Sequence, residues 1–302
     1  MTQNAKALSA AAVAVLSWST VAAAFKTALM YYTHYEMLTV AAVTATAVFA
    51  VMMTIQGKWK SLVALTRREI LSCALLGVAN PALYYLVLFA AYDKLPAQVA
   101  QPINYCWPIF LVLLMAAVMH RPVRNRLYIG MALSFAGVAV ISLGGSAIGG
   151  AALSPSGLML AFLSAMIWAG YWILNEKLKG NLDETVKLFM SFLAGSVLLV
   201  ACSPLAGCEF SSADGLRASV YVGIMEMGIP FFFFSYALAR ADNIALVNQM
   251  CYIAPFLSLF FISVIVGETI VMTSYIGLAL IVGGVVYNRY LAYPPRRAAS
   301  PK

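Results

Sequence analysis

Few residues in this 302-residue chain could do chemistry. One carboxylate, Glu226, stands inside the otherwise uncharged run "GIMEMGIP". In an apolar setting such a group binds an ammonium, carries a proton, or sits neutral in a hydrogen bond, and the sequence leaves all three open. Amides and phenols recur at a fixed interval. Gln101, Tyr105 and Pro108 are matched 147 residues later by Asn248, Tyr252 and Pro255. Spacings of four and three put each trio on one helical face. Such a face turns inward, either lining a cavity or joining helices by hydrogen bonds. Each proline removes a backbone donor and is a candidate hinge. Trp18 and Trp168 repeat at an interval of 150, and Trp107 lies one turn from Asn104. Asn80, Tyr84 and Tyr85 cluster around Pro81. Aromatic walls with a few amides suit a substrate with an apolar body and polar ends, although large rings also simply fill cores.

Other chemistries lack their residues. His34 and His120 are far apart, and the five cysteines form no metal-ligand cluster, so neither metal nor cofactor is expected. Cys202 and Cys208 could pair at one membrane face, which the sequence does not decide. An intramembrane enzyme would need paired catalytic groups, and a nucleotide-driven pump would need a phosphate-binding loop. The absence of charge rings argues against an ion-selective channel.

The positioning elements follow from composition. The chain is 63% hydrophobic and 10% charged, with a mean hydropathy of +0.88. A soluble domain would carry roughly 25% charged residues. Apolar runs of the length that crosses a bilayer recur throughout. They give ten spans, 7–30, 36–56, 70–92, 96–119, 127–145, 156–178, 185–204, 217–238, 243–266 and 271–291. The first, with Ala22, Ala23 and Ala24, resembles a signal peptide but runs on to Met30, and it reads as an uncleaved span.

With the N-terminus cytoplasmic, Lys6, Lys58, Lys60, Arg67, Arg68, Arg121, Arg124, Arg126, Lys177, Lys179, Lys187, Arg240, Arg289, Arg296, Arg297 and Lys302 all fall inside. Only Lys94 and Arg217 fall in outside loops, and Lys26, near the outer end of the first span, is expected to snorkel outward. Both termini are therefore expected in the cytoplasm. The net charge of +8 is spread over loops rather than one face, which excludes a nucleic-acid partner.

"YIGMALSFAGVAV" (128–140) and "YIGLALIVGGVVY" (275–287) are near copies. The chain thus divides into repeats 1–145 and 156–291, a Gly- and Ser-rich linker 146–155, and a tail 292–302. An odd number of spans per repeat makes the second enter from the opposite side, the plan of many secondary transporters. Ala132 and Ala136 match Ala279 and Gly283, a small-residue spacing that lets helix backbones approach closely, so these residues are expected to serve packing.

These residues resemble the drug/metabolite transporter superfamily, in particular its ten-helix members with two five-helix EamA-type repeats. The paired tryptophans, the proline-bearing fourth helices, "GE" at Gly267–Glu268 and the Gly-rich helices 5 and 10 carry the resemblance. The first repeat departs from it, with "HRP" at His120–Pro122 where an acidic turn would stand. "QPINYCWPIFLVLL" and "NPALYYLVLFAAYDKLPAQ" look most like the YddG-type amino-acid exporters. The resemblance implies an all-α, basket-shaped bundle with a central cavity in a bacterial inner membrane. It implies export of aromatic and other apolar amino acids, with Trp18, Tyr84, Tyr105, Trp107 and Trp168 at aromatic cavity positions. Asn80, Gln101, Glu226, Asn248 and Tyr252 join them on the helical-face argument, with Pro108 and Pro255 as hinges. The expected partners are the substrate and the lipid bilayer, with a monomer one expectation and oligomeric state open. A drug or cationic-compound exporter of the same fold is the alternative.

Overall fold

The computed structural model describes residues 2–119, 125–144, 153–178, 182–242, 247 and 250–288. They form ten helical spans. These are α1 (Gln3–Leu29), α2 (His34–Ile55), α3 (Arg67–Lys94), α4 (Ala97–Asn104 continued by Trp107–Met119) and α5 (Asn125–Gly144) in the first half. The second half has α6 (Pro155–Lys177), α7 (Glu184–Cys202), α8 (213–240), α9 (described over Cys251–Ile253, Ala254–Phe261 and Ile262–Val266) and α10 (Met272–Val286). Among the described residues, six helices are long and apolar enough to cross a membrane, and three shorter helices are equally apolar.

Local sequence sets the helix starts. Thr33 with Glu36 and Thr66 with Glu69 form capping boxes at the heads of α2 and α3, satisfying amides that lipid could not. Ser154, Asp183 and Ser212 cap α6, α7 and α8. Proline and glycine set the interruptions. α3 leaves helical geometry at Asn80 (φ −151°, ψ 118°), the residue before Pro81, and α8 does so at Gly228 (φ −98°, ψ −88°), two residues before Pro230.

The contacts define a twofold axis. In α5 and α10, Gly130 lies against the Gly284 carbonyl and Gly137 against the Gly277 carbonyl. At the repeat interval of 147, Gly130 corresponds to Gly277 and Gly137 to Gly284. Each glycine therefore touches the counterpart of the other, as antiparallel helices related by a twofold must. Between them Ser134 Oγ donates to the carbonyl of its own counterpart, Ile281, at 3.0 Å. A residue touches its own equivalent only on the axis, so the axis passes here.

α2 and α7 repeat the pattern. Thr46 Oγ1 and Ser196 Oγ, counterparts at the interval of 150, are 2.9 Å apart, and Phe49 packs on Phe192. The helix ends agree. Glu36 at the head of α2 accepts from the Glu209 and Phe210 amides beyond α7. Asp183 at the head of α7 takes Lys58, just beyond α2, at 2.8 Å, and Thr185 donates to Gln56. Partial burial would raise the Asp183 pKa, but the Lys58 ammonium and the Val186 and Thr185 amides outweigh it and hold it below the usual carboxylate range.

The halves interlock rather than abut. Gly77 of α3 packs on the Ser191 carbonyl of α7, and Gly223 of α8 packs on the Ala41 carbonyl of α2. α1 packs mainly on α8 and α9, and α6 on α3 and α4.

α5 packs on α10, but not through the small residues expected to serve packing. Ala132, Ala136, Ala279 and Gly283 are exposed on the outside of the pair, and the small residues in contact are Gly130, Ser134, Gly137, Gly277 and Gly284. Both stripes have small-residue spacing, and only the second lets carbonyl and glycine meet. Gly137→Val, whose Cβ would strike backbone, is expected to cost about 1–3 kcal/mol in reversible unfolding in mixed micelles. Ala136→Val and Ala279→Val on the outer face should stay within about 0.5 kcal/mol.

Candidate functional site

The interrupted helices surround a ring-lined centre. Trp168 of α6 is the hub. Its ring is 4.4 Å from Tyr84, 5.3 Å from Tyr171 and 5.9 Å from Trp172 between centroids. Phe231 of α8 links the two repeat-related tryptophans, at 6.5 Å from Trp168 and 6.3 Å from Trp18. Trp18 also meets Phe234 at 5.3 Å. These rings come from α1, α3, α6 and α8, so both halves share one aromatic wall.

The polar groups lie against that wall. Trp18 Nε1 donates to the Glu226 carbonyl at 3.3 Å, and Tyr85 Oη donates to Glu226 Oε1 at 3.0 Å. Tyr84 Oη donates to Asn104 Oδ1, Asn104 Nδ2 to Ser164 Oγ, and Ser164 Oγ to the Ala161 carbonyl. This chain ties α3, α4 and α6 together beside the Trp168 ring. Asn80, 1% exposed, has its side chain against the Tyr171 hydroxyl, and its Oδ1 finds no donor among the described residues. Gln101 Oε1, on a side chain 5% exposed, is likewise unpaired. Buried amides are nearly always paired, so these two oxygens are candidate acceptors. Glu226 is deep in the bundle yet keeps part of its surface accessible.

The structure brings Trp18, Tyr84, Trp168 and Glu226 together through these contacts. Tyr105 lies within electrostatic reach of Glu226 and of its own counterpart Tyr252. Among the described residues, Trp107 meets the cluster through Trp172, to which it is nearly parallel at 6.4 Å. Asn248 lies outside the described residues. α4 is interrupted at Tyr105 and Cys106, just ahead of Pro108, and α9 has a tight turn at Cys251–Ile253, just ahead of Pro255. A groove of about 540 Å³ lined by Arg67, Arg68, Leu71 and Leu178 lies elsewhere, at the head of α3, and shares no residue with this cluster.

Several participants escape the sequence reading. Tyr171 and Trp172 follow Trp168 by one turn, a signal that was available. Phe231 and Phe234 sit in "IPFFFFSYALAR", which looks lipid-facing. Lys26 does not snorkel outward. Its ammonium turns inward and donates to the Tyr92 and Leu95 carbonyls at 2.9 and 3.2 Å, the free acceptors at the end of α3. Glu268, just after the positive-φ Gly267, accepts from the Ala97 amide at 2.9 Å and also takes the Gln98 amide at the head of α4. Gln98 Oε1 accepts from the Val271 amide and the Ser274 hydroxyl. The turn between α9 and α10 is thus fastened to the α3–α4 corner of the other half. Cys202 and Cys208 are free thiols.

A model of the EamA-like transporter family matches residues 5–143 and again 155–290. The chain belongs to that family. It is therefore a multi-pass membrane transporter of small molecules and not an enzyme. Among EamA-like relatives, the aromatic amino acid exporter YddG of Ancylobacter novellus is 28% identical over 69% of this chain and 72% of its own. A probable terminal-alkyne amino-acid exporter of Streptantibioticus cattleyicolor is 25% identical over 78% of each chain. The inner membrane transporter YedA of Escherichia coli K12 is 24% identical over 78% of this chain and 76% of its own. A protein solved by crystallography, 25% identical, superposes with a TM-score of 0.67 over 96% of this chain and 98% of that one.

Removing the Glu268 carboxylate strands two amides at the head of α4. Glu268→Ala is expected to lose about 1–2 kcal/mol of stability in mixed micelles, and Glu268→Gln, which keeps one acceptor oxygen, less.

Proposed function

We propose that this chain exports amino acids, aromatic and other apolar ones foremost, across a bacterial inner membrane by alternating access. The observation that carries the reading is the shared aromatic wall, in which Phe231 bridges Trp18 and Trp168 beside the Glu226 carboxylate. A flat apolar side chain would stack on these rings while its charged end meets Glu226 and the unpaired amides of Asn80 and Gln101. The names of two relatives, both amino-acid exporters, support the same substrate class.

In this reading the repeats occupy 1–145 and 156–291, joined by 146–155 and followed by the tail 292–302. The basic residues of the loops support termini in the cytoplasm, with Lys58 and Asp183 at the cytoplasmic end and Lys26 and Glu268 at the outer end. The α2–α7 and α5–α10 pairs on the axis form the frame. Around it the interrupted α4 and α9 bend ahead of Pro108 and Pro255. Two near-equivalent arrangements, one open to each side, follow from the inverted repeat.

One observation favours a second reading, export of organic cations. Glu226 forms no ion pair among the described residues.

Efflux of radiolabelled phenylalanine from proteoliposomes tests the first reading. Trp168→Ala, which removes the hub ring, should cut phenylalanine efflux about tenfold, since a well-placed ring contact is worth about 1 kcal/mol or somewhat more. Gln101→Ala should slow it as well. Unchanged flux in both variants would place the substrate elsewhere.

A further inference from the structure

Outside the ring cluster, charge and apolar surface meet in the groove of about 540 Å³ at the head of α3. Arg67 and Arg68 form its polar end, and Leu71, Ser72 and Leu75 continue it down α3. Leu178, just past the end of α6, supplies the opposite wall. From Arg67 to Leu75 the helix rises roughly 12 Å. Leu71 and Leu75 are 59% and 51% exposed, so the groove opens sideways from the bundle. For a spanning helix that direction is lipid.

Trp59, in the turn before α3, marks the depth. It is 43% exposed, its ring packs on Phe189 and its Nε1 donates to Thr54 Oγ1. A half-exposed tryptophan among basic residues belongs at headgroup level. Arg67 and Arg68 then lie at the level of lipid phosphates, and Leu71 and Leu75 lie one and two turns deeper, beside acyl chains.

Both arginines are free to take an anion. Neither enters an ion pair or a side-chain hydrogen bond among the described residues, whereas Lys58, Lys187 and Arg217 each hold a carboxylate. Glu69, the carboxylate of the same turn, is folded back onto the Thr66 amide and hydroxyl. In sequence, the stretches 66–72 and 175–179 carry Arg67, Arg68, Lys177 and Lys179 against Glu69 and Glu176, a positive excess. Guanidinium forks suit phosphodiester oxygens. A zwitterionic headgroup brings an ammonium that the same excess repels. A free phosphate offers nothing to the leucines.

We propose that this groove holds one anionic glycerophospholipid. Its phosphodiester lies on Arg67 and Arg68, and an acyl chain runs along Leu71, Leu75 and Leu178. Basic pockets between membrane helices recognise anionic lipids in this way. α3 belongs to the first half of the chain and α6 to the second, so one lipid bridges the halves. α3 also carries the break at Asn80 and the Tyr84 ring, and α6 carries Trp168, so the lipid braces two helices that build the aromatic wall. The site is independent of which solute is carried.

Native mass spectrometry of the full-length protein released from mixed micelles tests the site. The probes are dioleoylphosphatidylglycerol, dioleoylphosphatidylcholine and inorganic phosphate. Wild type should retain one phosphatidylglycerol about tenfold more tightly than phosphatidylcholine, from two basic side chains at one headgroup. Arg67→Gln combined with Arg68→Gln should abolish that preference, and Arg67→Lys combined with Arg68→Lys should keep part of it. Lys94→Gln, at the opposite end of α3, should leave it unchanged. All forms are matched for melting temperature. Equal retention of the two lipids by the wild type would overturn the proposal. So would a preference that survives the paired glutamine substitutions, or one that Lys94→Gln lowers as much. Displacement of phosphatidylglycerol by equimolar inorganic phosphate would also overturn it, leaving an anion site with no place for the chain.

Discussion

The close approach of α5 and α10 is the contact on which the rest of the architecture depends. In a bilayer, burying apolar surface between helices gains little over lipid, so association relies on tight packing and interhelical hydrogen bonds. Gly130 on Gly284, Gly137 on Gly277 and the Ser134–Ile281 hydrogen bond supply both. They also fix the axis, because they pair each position with its counterpart in antiparallel sense. The Thr46–Ser196 contact meets the same symmetry requirement between α2 and α7. With two pairs set on the axis, α3 must lie on α7 and α8 on α2, and neither repeat can bury its own third helix alone.

Symmetry builds the frame, and departures from it build the site. Glycines, caps and helix breaks recur in both halves because packing demands them in both. The residues of the ring cluster diverge. Glu226 answers Asn80, and Phe231 answers Tyr85. Trp18 and Trp168 are the conspicuous exception, equivalent residues that meet one ring, Phe231, from two sides. The groups that meet around the axis are thus unequal where the scaffold is equal. The turn after α9 adds a further inequality. Glu268 binds the head of α4, whereas the corresponding place in the first repeat reads "HRP", with no carboxylate to offer.

Much of this was legible in the chain. Span number and the inverted repeat follow from hydropathy and from the intervals of 147 and 150, because lipid imposes one length and one polarity on every crossing element. That the fifth and tenth spans pack through small residues was also legible, but neither the pairing nor the face was. Ala132, Ala136, Ala279 and Gly283 have the same spacing as the true contact, and spacing does not say which stripe meets a neighbour. Lys26 was misread for a related reason. A lone lysine near a helix end reads as a snorkelling group until the free carbonyls of Tyr92 and Leu95, more than sixty residues away in sequence, are brought beneath it. Trp168 was visible through its partner Trp18. Phe231 and Phe234 were hidden in a run of four phenylalanines, where composition alone reads as lipid contact.

The account stands or falls on the antiparallel sense of the halves, and thiol labelling from each side of the membrane tests it most directly. Single cysteines replace Lys58 and Glu209 in a cysteine-free background, two positions that follow α2 and its counterpart α7. An impermeant reagent applied to right-side-out cells and to everted vesicles should reach the two positions from opposite faces. Labelling of both from the same face would contradict the inverted repeat, and with it the shared chamber.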